Sequence, residues 1–477
     1  MSKSNVSNWS SYFEEPNPGL RTYFDKVVQG NPDIYRTPFY KGKNVTSVVD
    51  DWKVTLQSRL KQWPGLMAFE NDLASKVGPL SVQKPLSERM DDIESYYELI
   101  SLNSVPLTNK SIAAVLDEWK TVRGISLRSA KTTIEHMKLS TNSGNPYFTK
   151  RRNVLTKTVP LTTCISDKDV IQELVDRDWL SAAVLGWRGQ EGGPKPQDVK
   201  QRVVWMFPFG INIVEHMFYQ TAIESAQKHN LVPAWVGDDS VRNSMTKLFD
   251  TKGKKDLIIC TDFSKFDQHF NPDLQNAAKL IIRGLLDHSA QSNDWLVNVF
   301  PIKYMIPLAY NYGKIKYGVH GMASGSGGTN FDETLVHRAL QYEAAQNNRT
   351  MLNRNSMCLG DDGCLSYPGI SVDNVLQSYT AHGLEMNPSK QSESTHEAVY
   401  LRKWYDTDYR DQNGMCMGVY ATTRALGRLC EQERFYDPEI WGPKMVALRQ
   451  LSILENCKYH PLREEFVNFC MKGDKYR

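Results

Sequence analysis

Acidic residues first draw attention where the sequence predicts a tight turn between two buried strands. Between Met357 and Ser366, apolar residues run up to Gly360, Asp361 and Asp362 follow, and apolar residues then resume. This pattern predicts a β-hairpin, because glycine allows the positive φ of a tight turn and aspartate tolerates turn geometry. Adjacent carboxylates in an apolar setting are costly unless a cation neutralises them. The turn is therefore a candidate metal site, although an ordinary solvated turn has the same pattern.

A second acidic pattern lies upstream. The apolar run Asp256–Thr261 predicts a buried strand that ends at Asp262, and Asp267 follows just before a predicted helix over Pro272–Asp287. A carboxylate at a strand end is well placed to bind a ligand. For Asp267 the alternative is a helix cap, since aspartate is favoured at helix N-termini.

A glycine-rich segment between Gly321 and Asn330 precedes a strongly predicted helix. Backbone N–H groups of such a loop at a helix N-terminus can bind an anion or a substrate. Many loops of this composition are merely flexible. The polar and small residues that we single out are Ser324, Gly325, Thr329 and Asn330.

Basic residues cluster in two further segments. After the breaker-rich stretch 192–198, which contains Lys195, Lys200 and Arg202 alternate as in a strand, so both cations project to one side and suit polyphosphate binding. An exposed edge strand with protective charges is the alternative. The loop 140–152 suits single-stranded nucleic acid because it combines a glycine, two aromatic residues and consecutive cations, and a solvated loop is again the alternative. Its candidate RNA-binding residues are Asn142, Ser143, Gly144, Lys150 and Arg151.

Length and composition describe a folded protein with two to four domains' worth of core. Its 477 residues are 40% hydrophobic, and 57 basic and 54 acidic residues give a formal net charge of +3. Nucleic-acid binding would therefore depend on local basic clusters. The segment Met1–Ser11 lacks the apolar core of a signal peptide, and the apolar window Leu296–Tyr310 is interrupted by Pro301 and Pro307. These features predict a soluble, intracellular protein without a membrane span.

The cysteines and the apolar stripes carry no predicted chemistry. Eight cysteines without a Cys-x-x-Cys pair indicate free thiols, and we interpret Cys358 and Cys364 as small buried residues, since no zinc-ligand spacing surrounds them. Helices are also predicted over 106–118, 126–139 and 372–382. Buried helix faces are predicted for two stripes: Trp52, Leu56, Leu60 and Trp63, and Met445, Leu448, Leu451 and Leu454.

Taken in order, these motifs resemble those of viral RNA-dependent RNA polymerases. Asp262-x4-Asp267, Ser324-Gly325-x3-Thr329-Asn330 and Gly360-Asp361-Asp362 are similar to the three core palm motifs, and Lys200-x-Arg202 is similar to the fingers motif. Lys390 lies where the family keeps a palm lysine, and Tyr400–Trp404 where its primer-grip hairpin is expected. The sequences of residues 262–271 and 324–330 are most similar to those of polymerases from double-stranded-RNA picobirnaviruses, and next to those from partitiviruses. The loop Asn142–Tyr147 resembles the family's motif at the template channel.

The resemblance implies a template-directed nucleotidyl transfer from NTPs to an RNA 3′-hydroxyl with two Mg²⁺ ions, Mn²⁺ being an alternative. It implies metal binding by Asp262, Asp361 and Asp362, with Asp362 in an accessory role. Ribose recognition falls to Asp267, Ser324, Gly325, Thr329 and Asn330, and triphosphate binding to Lys195, Lys200 and Arg202. Lys390 becomes the candidate general acid, and Arg402 and Lys403 contact primer or product RNA.

The implied fold class is α+β, a right-hand polymerase with fingers, a palm whose antiparallel sheet is flanked by helices, and a helical thumb. The expected boundaries are an N-terminal domain or arm over 1–105, fingers over 106–255, palm over 256–405 with a fingers insertion around 288–316, and thumb over 406–477. Expected partners are template and product RNA, NTPs and the viral capsid protein, with no membrane. We expect a monomer that acts inside the virion or in the host cytoplasm.

Two other functions share parts of this pattern. A reverse transcriptase has the same palm, but a bulky aromatic ribose gate and Tyr-x-Asp-Asp are expected where this chain has Asp267 and Leu359-Gly360. A catalytically silent RNA-binding or capsid-associated protein would not need all three core acids, which are present here.

Overall fold

A computed structural model describes residues 18–166, 169–175 and 177–476. The prediction for Met1–Ser11 lies outside these ranges. The chain divides into two compact units, of which the first contains the described residues up to 28 together with 89–186 and 203–395. The second contains residues 29–88, 187–202 and the described residues from 396 onwards. The predicted boundaries at residues 105, 255 and 405 stay predictions.

Helices make up much of both units, and short strands form small sheets. The helices are α1 Pro18–Gln29, α2 Val45–Arg59, α3 Pro64–Lys76, α4 Met90–Glu98, α5 Asn109–Glu118, α6 Ala130–Glu135, α7 Leu155–Thr158, α8 Phe209–Lys228, α9 Pro233–Val236, α10 Asp238–Thr251, α11 Phe266–His269, α12 Pro272–Leu285, α13 Ala290–Asn298, α14 Thr329–Asn347, α15 Val372–Thr380, α16 Thr422–Cys430, α17 Pro438–Glu455 and α18 Arg463–Lys472. The strands are β1 Tyr35–Arg36, β2 Thr162–Ile165, β3 Val170–Leu174, β4 Arg177–Ser181, β5 Ala183–Gln190, β6 Lys200–Met206, β7 Ile258–Thr261, β8 Leu308–Asn311, β9 Lys314–Lys316, β10 Met357–Leu359, β11 Asp362–Leu365, β12 Ser392–Ser394, β13 Glu397–Tyr400, β14 Lys403–Asp406, β15 Val419–Tyr420 and β16 Glu431–Gln432.

The sheet that contains the Gly360-Asp361-Asp362 hairpin has the strand order β10-β11-β7-β12, and every pair in it is antiparallel. Helix α14 packs against β10 and against α12 and α15. The predicted antiparallel sheet flanked by helices is therefore confirmed.

The core of the first unit lies around α14, whose side chains are buried on nearly every side. Phe331 of α14 packs against Phe218 of α8 with the ring centroids 5.5 Å apart, and both rings are fully buried. Burial of an aromatic side chain removes a large apolar area from water, so this contact stabilises the base of the loop that precedes α14.

Helix ends follow local capping. Helix α12 begins after Asn271, whose side chain accepts a hydrogen bond from the Leu274 N–H, so the cap that was an alternative for Asp267 belongs to Asn271. Helix α6 is shorter than the predicted 126–139, because the Ser129 hydroxyl caps it and it ends after one and a half turns.

The second unit has a separate apolar core and a three-stranded sheet with the order β13-β14-β15. Of the predicted stripe Trp52, Leu56, Leu60 and Trp63, the first three are at most 2% exposed as predicted, whereas Trp63 is half-buried and lies beyond the end of α2. The prediction for the second stripe is wrong. On α17, Met445, Leu448 and Leu451 are exposed by 43%, 57% and 64% respectively, and Ile453 is the residue of that helix that is buried.

Strand β6 lies at the edge of the four-stranded sheet β6-β5-β8-β9. Lys200 and Arg202 are both exposed there and alternate with less exposed residues, as the spacing predicts. Within the described ranges, no helix is long and apolar enough to cross a membrane. All eight cysteines are free, and Cys358 and Cys364 are buried as predicted, which raises the pKa of the Cys358 thiol to about 12.

Candidate active site

The hairpin formed by β10 and β11 turns at Gly360 and Asp361. Leu359 pairs with Asp362, so the turn contains two residues, and Gly360 has a φ of +58°. Such a φ is strained for any residue with a Cβ, which explains the glycine at the first turn position. Asp361 is exposed and Asp362 is half-buried. The fold thus presents both carboxylates at one end of the sheet.

Asp262 lies beside this turn because β7 pairs with β11. Gly363 is opposite Thr261 in the antiparallel register, and continuing the register by one residue places Asp262 opposite Asp362. Neighbouring strands are about 4.8 Å apart, so the three acids lie together at one end of the sheet. Their oxygen donors are the type that hard divalent cations prefer, and Asp262 and Asp361 are accessible from solvent. The donor set therefore fits a divalent metal.

Helix α14 holds the turn from below. The Thr334 hydroxyl accepts a hydrogen bond from the Gly360 N–H at 2.9 Å, and His337 Nδ1 donates to the Gly360 carbonyl at 2.8 Å. Burial lowers the pKa of His337 to about 4, so the ring is neutral at pH 7. Both backbone groups of Gly360 are satisfied by side chains of one helix, which fixes the position of Asp361.

The backbone of Asp262 is held by Gln391, a residue for which the sequence patterns predicted no role. The Gln391 side chain accepts from the Asp262 N–H and donates to the Asp262 carbonyl, both at 2.8 Å. Gln391 also donates to the Asn387 carbonyl at 3.0 Å. Its predicted neighbour Lys390 is exposed and ends the short turn Pro388–Lys390. Because the link to Asp262 spans more than a hundred residues, no local pattern indicates it.

The predicted ribose residues approach the turn from the other side. Asn330 Oδ1 accepts from the Trp235 indole N–H at 2.8 Å. Glu333, one turn further along α14, is buried and hydrogen-bonded to Asp267. Burial raises the pKa of Glu333 well above its usual range, and the charges of Asp267 and Asp361 add to the rise. These effects favour the protonated form of the Glu333 carboxyl group beside Asp267.

Helical spacing could have indicated which residues of α14 contact the turn. Asn330, Glu333, Thr334 and His337 follow one another at intervals of three and four, which places them on one face of α14. That face is directed to the turn at Gly360. Trp235 lies far away in sequence and gives no such signal.

The glycine-rich loop is packed tightly against its surroundings. A Cβ added to Gly325 would lie 1.6 Å from the Trp205 carbonyl oxygen, and one added to Gly328 would lie 2.2 Å from the Tyr219 ring. The Ser324 hydroxyl accepts from the Trp205 N–H at 3.3 Å, and the Thr329 hydroxyl donates to the Ala323 carbonyl at 3.0 Å. These contacts show that the loop is ordered by packing.

A buried polar layer supports this loop and the start of α14. Glu215 accepts from the Gly327 N–H at 3.1 Å and also from the Ser326 hydroxyl. Asp332 accepts from the hydroxyls of Tyr219 and Tyr304 and forms an ion pair with Lys303 at 3.0 Å. Lys303 and Asp332 are both fully buried, so each needs the other as a counter-charge.

In the second unit, the predicted cations form one cluster around Glu191. Arg402 lies 3.7 Å from the Glu191 carboxylate, and Arg424 lies 2.6 Å from it. Burial, followed by the charges of Arg424 and Arg202, lowers the pKa of Arg402. The fingers-type arginine and the hairpin arginine are therefore close together, and Arg424 is a member that the sequence did not indicate.

The remaining predicted cations of this unit lie on exposed or turn positions. Arg402 is the second residue of the turn between β13 and β14 and has a φ of +60°, which confirms the predicted hairpin. Lys403 begins β14 and is half-buried. Lys195 is exposed at the start of the turn Pro196–Asp198, and the Asp198 carboxylate accepts from the Lys195 N–H.

The loop 140–152 is held together by its own hydrogen bonds. Asn142 Oδ1 accepts from the Gly144 N–H at 2.7 Å, and the Ser143 carbonyl accepts from the Phe209 N–H at 2.8 Å. Ser143 and Gly144 are buried, whereas Asn142 and Lys150 are exposed. Arg151 stacks over Phe209 and donates to the Asn212 side chain at 3.1 Å. The RNA contacts predicted here stay predictions.

Another group of side chains has metal-ligand chemistry. Within the part of the chain that the structure describes, His396, Glu397 and Asp406 have ligand atoms within 4.8 Å of one another. Glu397 and Asp406 are paired across the β13–β14 hairpin, and the Trp404 indole N–H donates to Glu397 at 3.2 Å. This group belongs to the second unit and contains none of the three aspartates Asp262, Asp361 and Asp362.

Known proteins share both the motifs and the fold of this chain. The family model described as "Viral RNA-dependent RNA polymerase" matches residues 79–415. A protein of human picobirnavirus (strain Human/Thailand/Hy005102/-), named "Potential RNA-dependent RNA polymerase", is 59% identical over 469 residues, which cover 98% of this chain and 88% of that protein.

Two crystal structures agree with the sequence match. The RNA-dependent RNA polymerase of a human picobirnavirus superposes with a TM-score of 0.97 at 58% identity, covering 100% of this chain and 91% of that chain. Its insertion-loop deletion mutant gives a TM-score of 0.96 at 58% identity, covering 99% and 93%. The resemblance to picobirnavirus polymerases and the α+β right-hand fold are thereby confirmed. This chain belongs to the viral RNA-dependent RNA polymerases.

Proposed function

We propose that this polymerase performs nucleotidyl transfer at the end of the sheet where Asp262, Asp361 and Asp362 lie together, with two Mg²⁺ ions as cofactor. Viral RNA-dependent RNA polymerases depend on divalent metal ions. When bound, such ions lower the pKa of the attacking 3′-hydroxyl and neutralise charge on the leaving pyrophosphate. Asp262 and Asp361 supply the principal ligands and Asp362 an accessory one.

The observation that carries this proposal is the strand register. The pairing of Gly363 with Thr261 brings the end of β7 beside the hairpin turn, although the acids come from separate segments of the chain. The Gly360 and Asp262 backbones are each held by two side-chain hydrogen bonds. Ligands that are held in place before metal binding lose little conformational freedom on binding.

Asp267 and Asn330 recognise the ribose of the incoming nucleotide in this proposal. A polar site that hydrogen-bonds a hydroxyl rejects an analogue without it, because the partners of that hydroxyl are left unpaired. Ser324, Gly325 and Thr329 act by holding the loop, which their packing and hydrogen bonds support.

Cations of the second unit bind phosphate groups. We assign the triphosphate to Lys195, Lys200 and Arg202, and the primer or product backbone to Arg402 and Lys403. The cluster around Glu191 supports this assignment, since Arg202, Arg402 and Arg424 outnumber its single carboxylate. Lys390 is the proposed general acid for pyrophosphate, a role typically worth about 10²–10⁴-fold in rate.

The template follows the exposed side of the loop 140–152 in this proposal. Asn142 and Lys150 face solvent there and contact RNA, whereas Ser143, Gly144 and Arg151 shape the loop. The similarity to picobirnavirus polymerases supports a double-stranded RNA genome as the template source. We further propose that the enzyme is monomeric, contacts capsid protein, and acts in the virion interior or the host cytoplasm.

A primer-extension assay with purified protein, an RNA template, NTPs and Mg²⁺ tests the metal assignment. Asp361→Ala should lower incorporation by at least about 10³-fold, the scale on which charge stabilisation is lost in phosphoryl transfer. Asp373→Ala removes an exposed acid from the start of α15 and serves as the matched control. Incorporation by Asp361→Ala at the control rate would refute the assignment. An inactive but folded wild-type protein would indicate an RNA-binding scaffold instead.

A further inference from the structure

The indole of Trp235 sets the orientation of the Asn330 side chain. Its Nε1–H lies 2.8 Å from Asn330 Oδ1. An indole nitrogen can only donate a hydrogen bond, whereas an asparagine amide has one accepting end and one donating end. The amide oxygen of Asn330 must therefore face Trp235, and its NH₂ group must face away from it.

The NH₂ group is directed at the catalytic turn. Asn330 Nδ2 lies 3.7 Å from the point where a Cβ on Gly360 would stand, and Glu333 Oε2 lies 3.6 Å from the same point. Asn330 therefore offers a hydrogen-bond donor on the side where the hairpin carries Asp361.

Trp235 is itself held firmly. Its ring stacks on Phe331 with centroids 5.6 Å apart and an interplanar angle of 12°, and it meets Trp119 edge-on at 6.3 Å. The Gln227 side chain donates to the Trp235 carbonyl at 2.8 Å. The indole therefore has little freedom to move when a nucleotide binds.

We propose that Trp235 is a positioning residue for sugar selection, which it performs by keeping the Asn330 amide in its donating orientation. This inference rests on the proposed ribose role of Asp267 and Asn330. A ribose 2′-hydroxyl has one proton and accepting lone pairs, so it can donate to the Asp267 carboxylate while it accepts from Asn330 Nδ2. A deoxyribose can form neither of these hydrogen bonds.

Without the indole N–H, the Asn330 amide can rotate and present its oxygen instead. Asp267 and Asn330 would then both be acceptors for a single hydroxyl proton, and one of them would stay unsatisfied. The ribose would lose part of its advantage over deoxyribose, while the metal ligands would be unaffected.

The test compares incorporation of an NTP and its matching 2′-dNTP on one RNA template, measured as kcat/KM for each. Trp235→Phe keeps an aromatic ring on Phe331 but removes the N–H donor. We expect its NTP-over-dNTP preference to fall by about 10-fold, the lower end of the usual effect of losing a residue that orients a ligand. Trp119→Phe is the matched control, because Trp119 packs in the same aromatic cluster without the hydrogen bond to Asn330. A similar fall in Trp119→Phe would overturn the inference.

A double-mutant cycle separates this inference from the proposed function. If Trp235 acts through Asn330, Trp235→Phe should cause no further loss of preference in an Asn330→Ala background. An additive loss would refute the role of Trp235. So would an unchanged NTP-over-dNTP preference in Trp235→Phe when Asn330→Ala lowers that preference. Either result would leave the ribose role of Asp267 and Asn330 intact. An unchanged preference in Asn330→Ala would instead refute the proposed ribose role.

A spectroscopic measurement on the folded enzyme covers the case in which Trp235→Phe does not fold. The ¹⁵N–¹H resonance of the Trp235 indole should move upfield in Asn330→Ala, because its acceptor is lost. If Asn330→Ala shifts none of the indole resonances seen in the wild-type protein, the inference is overturned.

Discussion

Two groups of carboxylates lie on opposite sides of the start of α14, and they differ in almost every physical respect. At one end of the sheet, Asp262 and Asp361 are exposed. Gln391 holds the Asp262 backbone, and Thr334 and His337 hold the backbone of Gly360, the residue before Asp361. Below the glycine-rich loop, Asp332 is fully buried and satisfied by two tyrosine hydroxyls and Lys303. The carboxylates of Asp262 and Asp361 are accessible to a ligand from solvent, whereas the carboxylate of Asp332 interacts with groups inside the protein.

The difference shows that residue type alone does not mark a catalytic acid. In the exposed group, side chains hold the backbone, and the carboxylates of Asp262 and Asp361 face solvent, where a cation can reach them. In the buried group the carboxylate itself accepts the internal hydrogen bonds. Substitutions in the first group should therefore affect activity, and substitutions in the second should affect folding.

The largest effect expected is on the buried group. Asp332→Asn leaves the Lys303 ammonium buried without its nearest counter-charge, and breaking a buried pair typically costs about 3–5 kcal/mol of unfolding free energy. Asp361→Asn, at an exposed position, should change the unfolding free energy by less than about 0.5 kcal/mol. Urea denaturation of both variants measures the contrast. Equal stabilities would show that the two groups do not differ as described.

A smaller effect is expected from the residue that holds Asp262. Gln391→Leu removes both hydrogen bonds to the Asp262 backbone, so nucleotide incorporation should fall by about 10–100-fold, as for other residues that orient metal ligands. Raising the Mg²⁺ concentration should recover part of the loss. Ser389→Ala, in the adjacent exposed turn, is the control. Full activity in Gln391→Leu would mean that Asp262 is positioned by the strand alone.

The smallest effect is a pH dependence at His216 of α8, whose half-buried ring packs against Gly327 of the glycine-rich loop. Burial and then the charge of Arg151 lower the pKa of His216 from 6.5 to about 4. The unfolded chain therefore binds a proton that the folded chain does not, so stability is complete above pH 6.5 and is lost as the pH falls toward 4. This loss should be on the order of 1–3 kcal/mol. His216→Gln should flatten urea-unfolding free energies across that window, and an unchanged slope would contradict the assignment.

The sequence predicted the parts of the site that local patterns encode. The hairpin at Gly360, the strand before Asp262, the loop before α14 and the alternating cations of β6 all follow from periodicity and turn chemistry. The contacts of Gln391, Trp235 and Arg424 join segments far apart in the chain, and no local pattern specifies such pairs. The stripe on α17 failed for a related reason, because helical spacing of apolar residues does not say whether another element covers them.

The Gln391 side chain also completes the ladder between β7 and β12. Ser392 pairs with Cys260, so a rung two residues further along would pair the backbone of Lys390 with Asp262. The Gln391 amide takes that rung instead, since it both donates to and accepts from the Asp262 backbone as a strand would. The Lys390 backbone N–H is bonded to Asn387 within its own turn. The Asp262 backbone is thus held without the Lys390 backbone, so under the proposed function the lysine side chain could move with pyrophosphate while Asp262 stays in place.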